Sequence, residues 1–322
     1  VIRGVESNGM LCALFELGLD KKYLHESDIN GICILGSDAK VGCDPIKYLG
    51  LDDEVIDFEL TSNRGDLLSI LGMSYEIGAL YNKNVKPMET SYQEIGEDIN
   101  SSFQVKVKTP DCPLFLAKKV NNVEIKESPD FIKERLIASG IRPINNVVDI
   151  SNFVMLETGQ PLHFYDADTL NNELIVRNSK KDEKLVTLDK NERTLSIDDI
   201  VIATGNKAIG LAGVMGGLET EITEKTKNII IESAIFDSIK IRMTSKRILR
   251  SEASNRFEKG LDPKRSYLAI ERCCYLLVRF ANATIQTGLV VYDKTKKDDK
   301  IIDITFDKIN KVLGLIVPRE DV

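Results

Sequence analysis

The sequence predicts an α+β fold distributed over several domains, and three observations carry that expectation. At 322 residues the chain exceeds what one hydrophobic core usually spans. Stretches with strand-like alternation dominate its first part, whereas helical periodicity appears at intervals further on. Strands and helices do not alternate regularly, so a parallel, doubly wound sheet is not indicated.

Residues 1–45 alternate short apolar runs with Gly, Asp and Asn turns, as in "GICIL" and "AKVGCDP". That is the patterning of short strands at a barrel edge. Val55, Ile56, Phe58 and Leu60 predict a further strand. Thr61, Ser62 and Asn63 then supply turn and capping chemistry before a helical stripe of Leu67, Ile70, Leu71, Ser74, Ile77 and Gly78. Residues 85–102 are polar and irregular and mark a boundary. "FQVKVKTP" alternates as a strand. Ser128 as N-cap, Pro129 at the first helical position and Gly140 beyond the end bracket a helix. Residues 171–217 read as successive strands with tight turns, and "NIIIESAIFD" as a buried strand. "GLDPKRSYLAIERCCYLLVRFANA" is the clearest amphipathic helix, with Leu268, Cys273, Leu276, Leu277 and Phe280 inward. Further strands follow Thr284, and "FDKINKVLG" predicts a helix opening another unit. The chain begins at Val1 within a strand-like stretch and stops soon after that helix, so a piece of a longer protein is expected.

Composition excludes several classes. The net charge is −7, which argues against wholesale nucleic-acid binding through a basic surface and leaves room for a local basic face. No run of about 18 apolar residues exists, so no membrane-spanning helix is expected. The six cysteines form no C-x-x-C pair and only two histidines accompany them. Reduced thiols in a cytoplasmic protein fit better than a zinc site, and no metal is expected.

Five motifs have both a plain and a functional reading. Asn63–Asp66 spells an adhesion-type tripeptide, but turn chemistry with Arg64 in a local ion pair accounts for it. "LAGVMGG" lacks the residues of a phosphate loop, and is either a strand bulge or a place where backbone approaches a ligand closely. Glu232 amid isoleucines is either half of a structural ion pair or a pocket carboxylate reading a hydroxyl or an amine. Lys240, Arg242, Lys246, Arg247 and Arg250 form either a solvated helix face or a phosphate-contact patch. His163, after Gln-Pro-Leu, is either a turn histidine or a site residue.

The segments "IRGVESNGMLCALFELGL", "ELTSNRGDLLSILGMSYEIGALY", "IRPINNVVDISNFVMLETGQPLHFYDAD", "GLAGVMGG", "IIIESAIFD" and "RSEASNRFEKGLDP", in this order, closely resemble the bacterial phenylalanyl-tRNA synthetase β subunit family. The resemblance covers essentially the whole chain. It implies that residues 1–45 end a tRNA-binding OB-type barrel and that 46–97 form a small helical scaffold. It further implies an editing domain at 98–290 and the start of another domain at 291–322. The implied activity is hydrolysis of tyrosine mischarged on phenylalanine tRNA, with aminoacylation left to the α subunit. The implied site comprises Arg142, Ser151, Asn152, His163, Gly216, Gly217, Glu232 and Ala253. His163, Asn152 and Ser151 take the catalytic side, Glu232 reads the tyrosine hydroxyl, and the basic residues of 240–250 contact tRNA. ATP and Mg2+ are implied for the complete enzyme and no cofactor for this segment. The implied partners are the α subunit in an α2β2 assembly, phenylalanine tRNA, and tyrosine as editing ligand. Glu232, His163, Asn152 and the paired glycines favour the hydrolytic reading. Two departures from the family pattern, Ser151 in place of Thr and a loop one residue shorter before Ala253, leave room for the alternative of a non-catalytic scaffold.

Overall fold

The computed structural model describes every residue except 1, 2, 5, 7, 8, 22, 23, 25–28 and 297–300. Two β-sheets and a helical layer make its body, a mixed α+β arrangement. One six-stranded sheet runs in the order β1 (Glu94–Ile95), β12 (Thr284–Gln286), β3 (Leu114–Asn121), β11 (Ile229–Ile235), β4 (Leu162–Asp166), with β13 (Val290–Asp293) also paired to β3. The second sheet is ordered β10 (Met215–Gly216), β9 (Lys207–Leu211), β8 (Ile200–Thr204), β5 (Glu173–Asn178), β2 (Gln104–Val107). A hairpin of β6 (Lys184–Val186) and β7 (Glu192–Thr194) stands beside it.

The period-two pattern of β11 explains the layering. Ile229, Ile231 and Ile235 join Leu114, Leu116 and Phe164 on one face. There they meet the helices α2 (Asp130–Ala138), α3 (Asn146–Thr158) and α6 (Pro263–Phe280), chiefly through Ile132, Val147, Ile150, Val154, Ile270 and Leu277, while α1 (Ile70–Tyr81) packs on α3. Ile230 and Ala234 join Phe115, Ala117 and Tyr165 on the other face and meet Leu174, Val176, Ile202, Ile209 and Leu211 of the second sheet. Helix α4 (Ser238–Arg247) and the short α5 (Glu252–Phe257) close one side of that inter-sheet core, and α7 (Phe306–Leu313) lies near the C-terminus. All seven residues of β11 are buried. A strand buried on both faces gains apolar stabilisation along its whole length.

Several expectations need correction. Among the described residues of 1–45 no strand forms; the rest of that expected patterning lies outside the described residues. Only Ala13 and Leu24 are buried there, so these segments have neither sheet partners nor a core to order them. Val55, Ile56 and Phe58 are exposed in irregular backbone for the same reason. The helix cap is Ser69, whose Oγ accepts from the Gly72 amide at 2.9 Å, in place of residues 61–63. Its inward residues are Leu71, Gly72 and Gly78, while Ile70 and Ile77 are exposed. Ser128 does not cap α2; its hydroxyl donates to the buried Asp149 at 2.5 Å, and Pro129 precedes the first turn. On α6 the buried stripe includes Cys273, Leu276 and Leu277 as expected, with Ser266, Ala269, Ile270 and Cys274 added and Leu268 and Phe280 half-buried. Arg64 pairs with Asp66 and Glu76, so the adhesion-like tripeptide is a local turn.

Gln160 ties the layers together just before β4. Its Nε2 donates to the carbonyls of Pro161 (3.0 Å) and Ala234 (2.9 Å), and its Oε1 accepts from Ser266 Oγ at 2.8 Å. The side chain is fully buried, so its removal strands three polar groups. Gln160→Ala is expected to lower stability by about 3 kcal/mol. Urea denaturation checks this, and a loss below about 1 kcal/mol would contradict it.

Candidate functional site

The register of the central strands brings the candidate residues together. Glu232 of β11 pairs directly with His163 of β4, and Tyr165 lies two residues along on the same face. All three point away from the helices, into the space between the sheets. There a cavity of ≈ 70 Å³ is lined by His163, Tyr165, Glu232, Gly210, Gly216, Ala253 and Phe257, among others. Segments distant in sequence thus converge because β4 pairs with β11 and the second sheet packs on that face.

Tyr165 was not among the residues singled out from sequence. Its hydroxyl donates to Glu232 Oε2 at 2.5 Å, and its ring stands edge-on to His163 with centroids 4.6 Å apart. The alternation in "HFYD" carried the signal: a strand that aims His163 at the cavity must aim Tyr165 there too. Glu232 is therefore not half of an ion pair. Burial raises its carboxyl to about 7, with the Tyr165 hydroxyl opposing that rise. Burial lowers His163 to about 4, so the imidazole is neutral at ordinary pH. His163 Nε2 is buried and has no hydrogen-bond partner among the described residues.

The glycines have distinct reasons. A Cβ on Gly216 would lie 2.3 Å from His163 Cε1 and 2.6 Å from Nε2. Gly216 is thus fixed by the histidine ring, and the close approach read from "LAGVMGG" is to this side chain. No bulge falls in that motif; the register shift lies at Ile202/Ala203. Gly217 does not line the cavity. It turns away, and a Cβ there would meet Ile209 O at 2.4 Å.

Besides Gly217, three further implied site residues lie outside the cavity lining. Ser151 and Asn152 are half-buried on α3, a helix on the opposite face of the first sheet, and neither lines the cavity. Ser151 Oγ donates back to Val148 O at 2.8 Å. Arg142, in the loop before α3, is exposed and is also outside the cavity lining. The basic cluster divides. Lys240 pairs with Asp198 at 3.1 Å, and Arg247 pairs with the buried Asp199, which also accepts from Thr244 Oγ1 at 2.7 Å. Arg242, Lys246 and Arg250 are exposed and form no ion pair among the described residues. Of the five, these three remain available to an outside anion.

Two outcomes follow from this geometry. Gly216→Ala is expected to destabilise by roughly 1–3 kcal/mol through overpacking against His163. In a His163→Ala background the same change should be nearly silent. A double-mutant cycle checks this, and additive losses would contradict it. The pH dependence is equally specific. A buried acid raised from 4.5 to about 7 stabilises fully below pH 4.5 and loses that contribution as pH rises towards 7. A buried base lowered from 6.5 to about 4 stabilises fully above pH 6.5 and loses that contribution as pH falls towards 4. The slopes oppose one another between pH 4.5 and 6.5. Each amounts to on the order of 3 kcal/mol. Glu232→Gln should therefore lose stability relative to the parent as pH falls from about 7 towards 4.5 and exceed the parent's stability at about pH 8. Denaturation midpoints across that range decide it; parallel curves would contradict the assignment.

Comparison with known proteins completes the picture. A family model described as the B3/4 domain matches residues 111–282. The chain is 45% identical over 316 residues to the phenylalanine–tRNA ligase beta subunit of Bacillus cereus, covering 97% of this chain and 39% of the relative. It is 43% identical over 324 residues to that of Geobacillus kaustophilus, covering 100% and 40%. The chain thus spans 39–40% of the length of these relatives. A solved structure, an N-terminal fragment of the phenylalanyl-tRNA synthetase beta-subunit from Pyrococcus horikoshii, overlaps with a TM-score of 0.43 at 16% identity, over 80% of this chain and 72% of that one. The chain carries a B3/4 domain and belongs to the bacterial phenylalanine–tRNA ligase beta subunit family.

Proposed function

We propose that residues 98–290 form a hydrolytic proofreading unit that removes tyrosine attached in error to phenylalanine tRNA. In this reading residues 1–45 and 46–97 belong to a tRNA-binding barrel and a helical scaffold, and 291–322 open a further domain. Aminoacylation, with its ATP and Mg2+, belongs to the α subunit of an α2β2 enzyme in the cytoplasm.

The observation that carries the reading is the buried Glu232 carboxylate facing the cavity, with one oxygen held by Tyr165. A pocket for phenylalanine cannot reject an isostere that only adds a hydroxyl by more than about 100-fold. A second pocket built around that hydroxyl can. Tyrosine places its phenol on Glu232, whereas phenylalanine leaves a buried carboxylate with an empty acceptor, a difference of about 1.5–3 kcal/mol. Ester hydrolysis then needs an oriented water and stabilisation of the developing oxyanion. The neutral His163 suits orientation, since one ring nitrogen donates while the other accepts. The exposure of Arg242, Lys246 and Arg250 supports their contacting tRNA phosphates in this reading.

A second reading, a non-catalytic scaffold for tRNA and the α subunit, is favoured by Ser151, Asn152 and Arg142 standing outside the cavity. Deacylation separates the two. The complete αβ enzyme containing this chain should hydrolyse preformed tyrosyl-tRNA for phenylalanine well above the spontaneous rate. Glu232→Ala should abolish its preference over phenylalanyl-tRNA, a loss of about 10-fold or more. Spontaneous-rate hydrolysis by the parent would leave the scaffold reading.

A further inference from the structure

A carboxylate has two oxygens and accepts several hydrogen bonds, so one occupied oxygen does not close the group to a ligand. Glu232 Oε2 accepts from the Tyr165 hydroxyl, whereas Oε1 accepts no hydrogen bond among the described residues, and the residue lines the cavity. Tyr165 is itself fully buried on β4, two pairs further along the β4–β11 ladder than the His163–Glu232 pair and on the same face, so its ring reaches Glu232 diagonally. Gly210 of the second sheet faces the hydroxyl from the other side: a Cβ there would stand 3.8 Å from it, in ordinary contact, so the second sheet lies close against it. The phenol is thus clamped between two sheets and has no freedom to leave the carboxylate cheaply.

We propose that Tyr165 is the positioning residue of the proofreading pocket: its hydroxyl fixes Glu232 through Oε2 and leaves Oε1 to accept one ligand hydroxyl. This rests on the proofreading reading above. The site therefore recognises a phenol with a carboxylate already carrying a phenol, and its selectivity is a property of the Tyr165–Glu232 pair. A lone buried carboxyl in this setting would be driven neutral and would swivel. Held by Tyr165, it stays an acceptor in one rotamer. The other titratable groups facing it are His163 on β4 and Cys112, whose thiol burial, and secondarily the Glu232 charge, push above its usual range. From the second sheet and α5 the cavity wall near it presents Ile202, Ala253 and Phe257, which carry no charge.

The test uses Tyr165→Phe in the complete αβ enzyme, since that change removes one oxygen and keeps the ring. Tyrosyl- and phenylalanyl-tRNA for phenylalanine are supplied preformed, and the ratio of their kcat/KM values is followed from about pH 6 to 9. Without the Tyr165 hydroxyl, Glu232 becomes a roughly tenfold weaker acid. The tyrosine preference should then fall about fivefold near pH 7 and return towards pH 9, where the carboxyl ionises again. An unchanged preference at every pH would overturn the proposal. A preference that rises would overturn it too, because Tyr165 would then be an occupant that the ligand displaces. Failure of the parent enzyme to hydrolyse tyrosyl-tRNA would count against the proofreading reading alone. In that case the carboxyl infrared band, assigned with Glu232→Gln, decides separately. Titration of that band at higher pH in Tyr165→Phe supports the clamp, and an identical titration removes it.

Discussion

Glu232 sits in the middle of a strand whose seven residues are all buried, where water cannot solvate its carboxylate. The surrounding structure answers to that one group. Strand β4 must lie beside β11 in the observed register, because only then do His163 and Tyr165 share its face. The second sheet must approach closely enough to enclose them, which requires glycine opposite the His163 ring at position 216. The Tyr165 hydroxyl supplies the hydrogen bond that keeps the carboxylate tolerable, yet burial still holds its pKa near 7. A polar group that costs stability in a core is retained where it does chemistry, and this pairing fits that pattern.

The first sheet divides the work between its two faces. Its helical side is apolar and densely filled, with Gln160, Ser266 and the Ser128–Asp149 pair as buried polar ties. That side fixes where β4 and β11 run. The other side holds the cavity and every ionisable group that lines it. Uncommitted positive charge lies apart, on the exposed face of α4 and the loop after it, where Arg242, Lys246 and Arg250 are not consumed by ion pairs among the described residues.

Much of this was legible in the sequence wherever the signal was local. A glutamate among isoleucines, a histidine after Gln-Pro-Leu and a paired glycine each break their local pattern, and three of these positions converge on one cavity. Helix α6 announced itself by its apolar period and by Asp262 and Pro263 at its start. Non-local facts were hidden. Val55–Leu60 alternates like a strand, but a strand exists only where another pairs with it. The face of the sheet on which α3 docks follows from packing, so no local pattern could say that Ser151 and Asn152, implied by the family resemblance, lie outside the cavity lining. Tyr165 escaped notice because its partner lies 67 positions away, although the same period-two argument that served His163 would have found it.

A crystal structure of the complete enzyme with L-tyrosine bound tests the central claim most directly. The expected result is a ligand phenol oxygen within hydrogen-bond distance of Glu232 Oε1, about 2.5–3.0 Å, while Tyr165 remains on Oε2 and phenylalanine under the same conditions leaves the cavity empty. Tyrosine bound with its ring away from Glu232, or phenylalanine bound equally well in the same place, would contradict it.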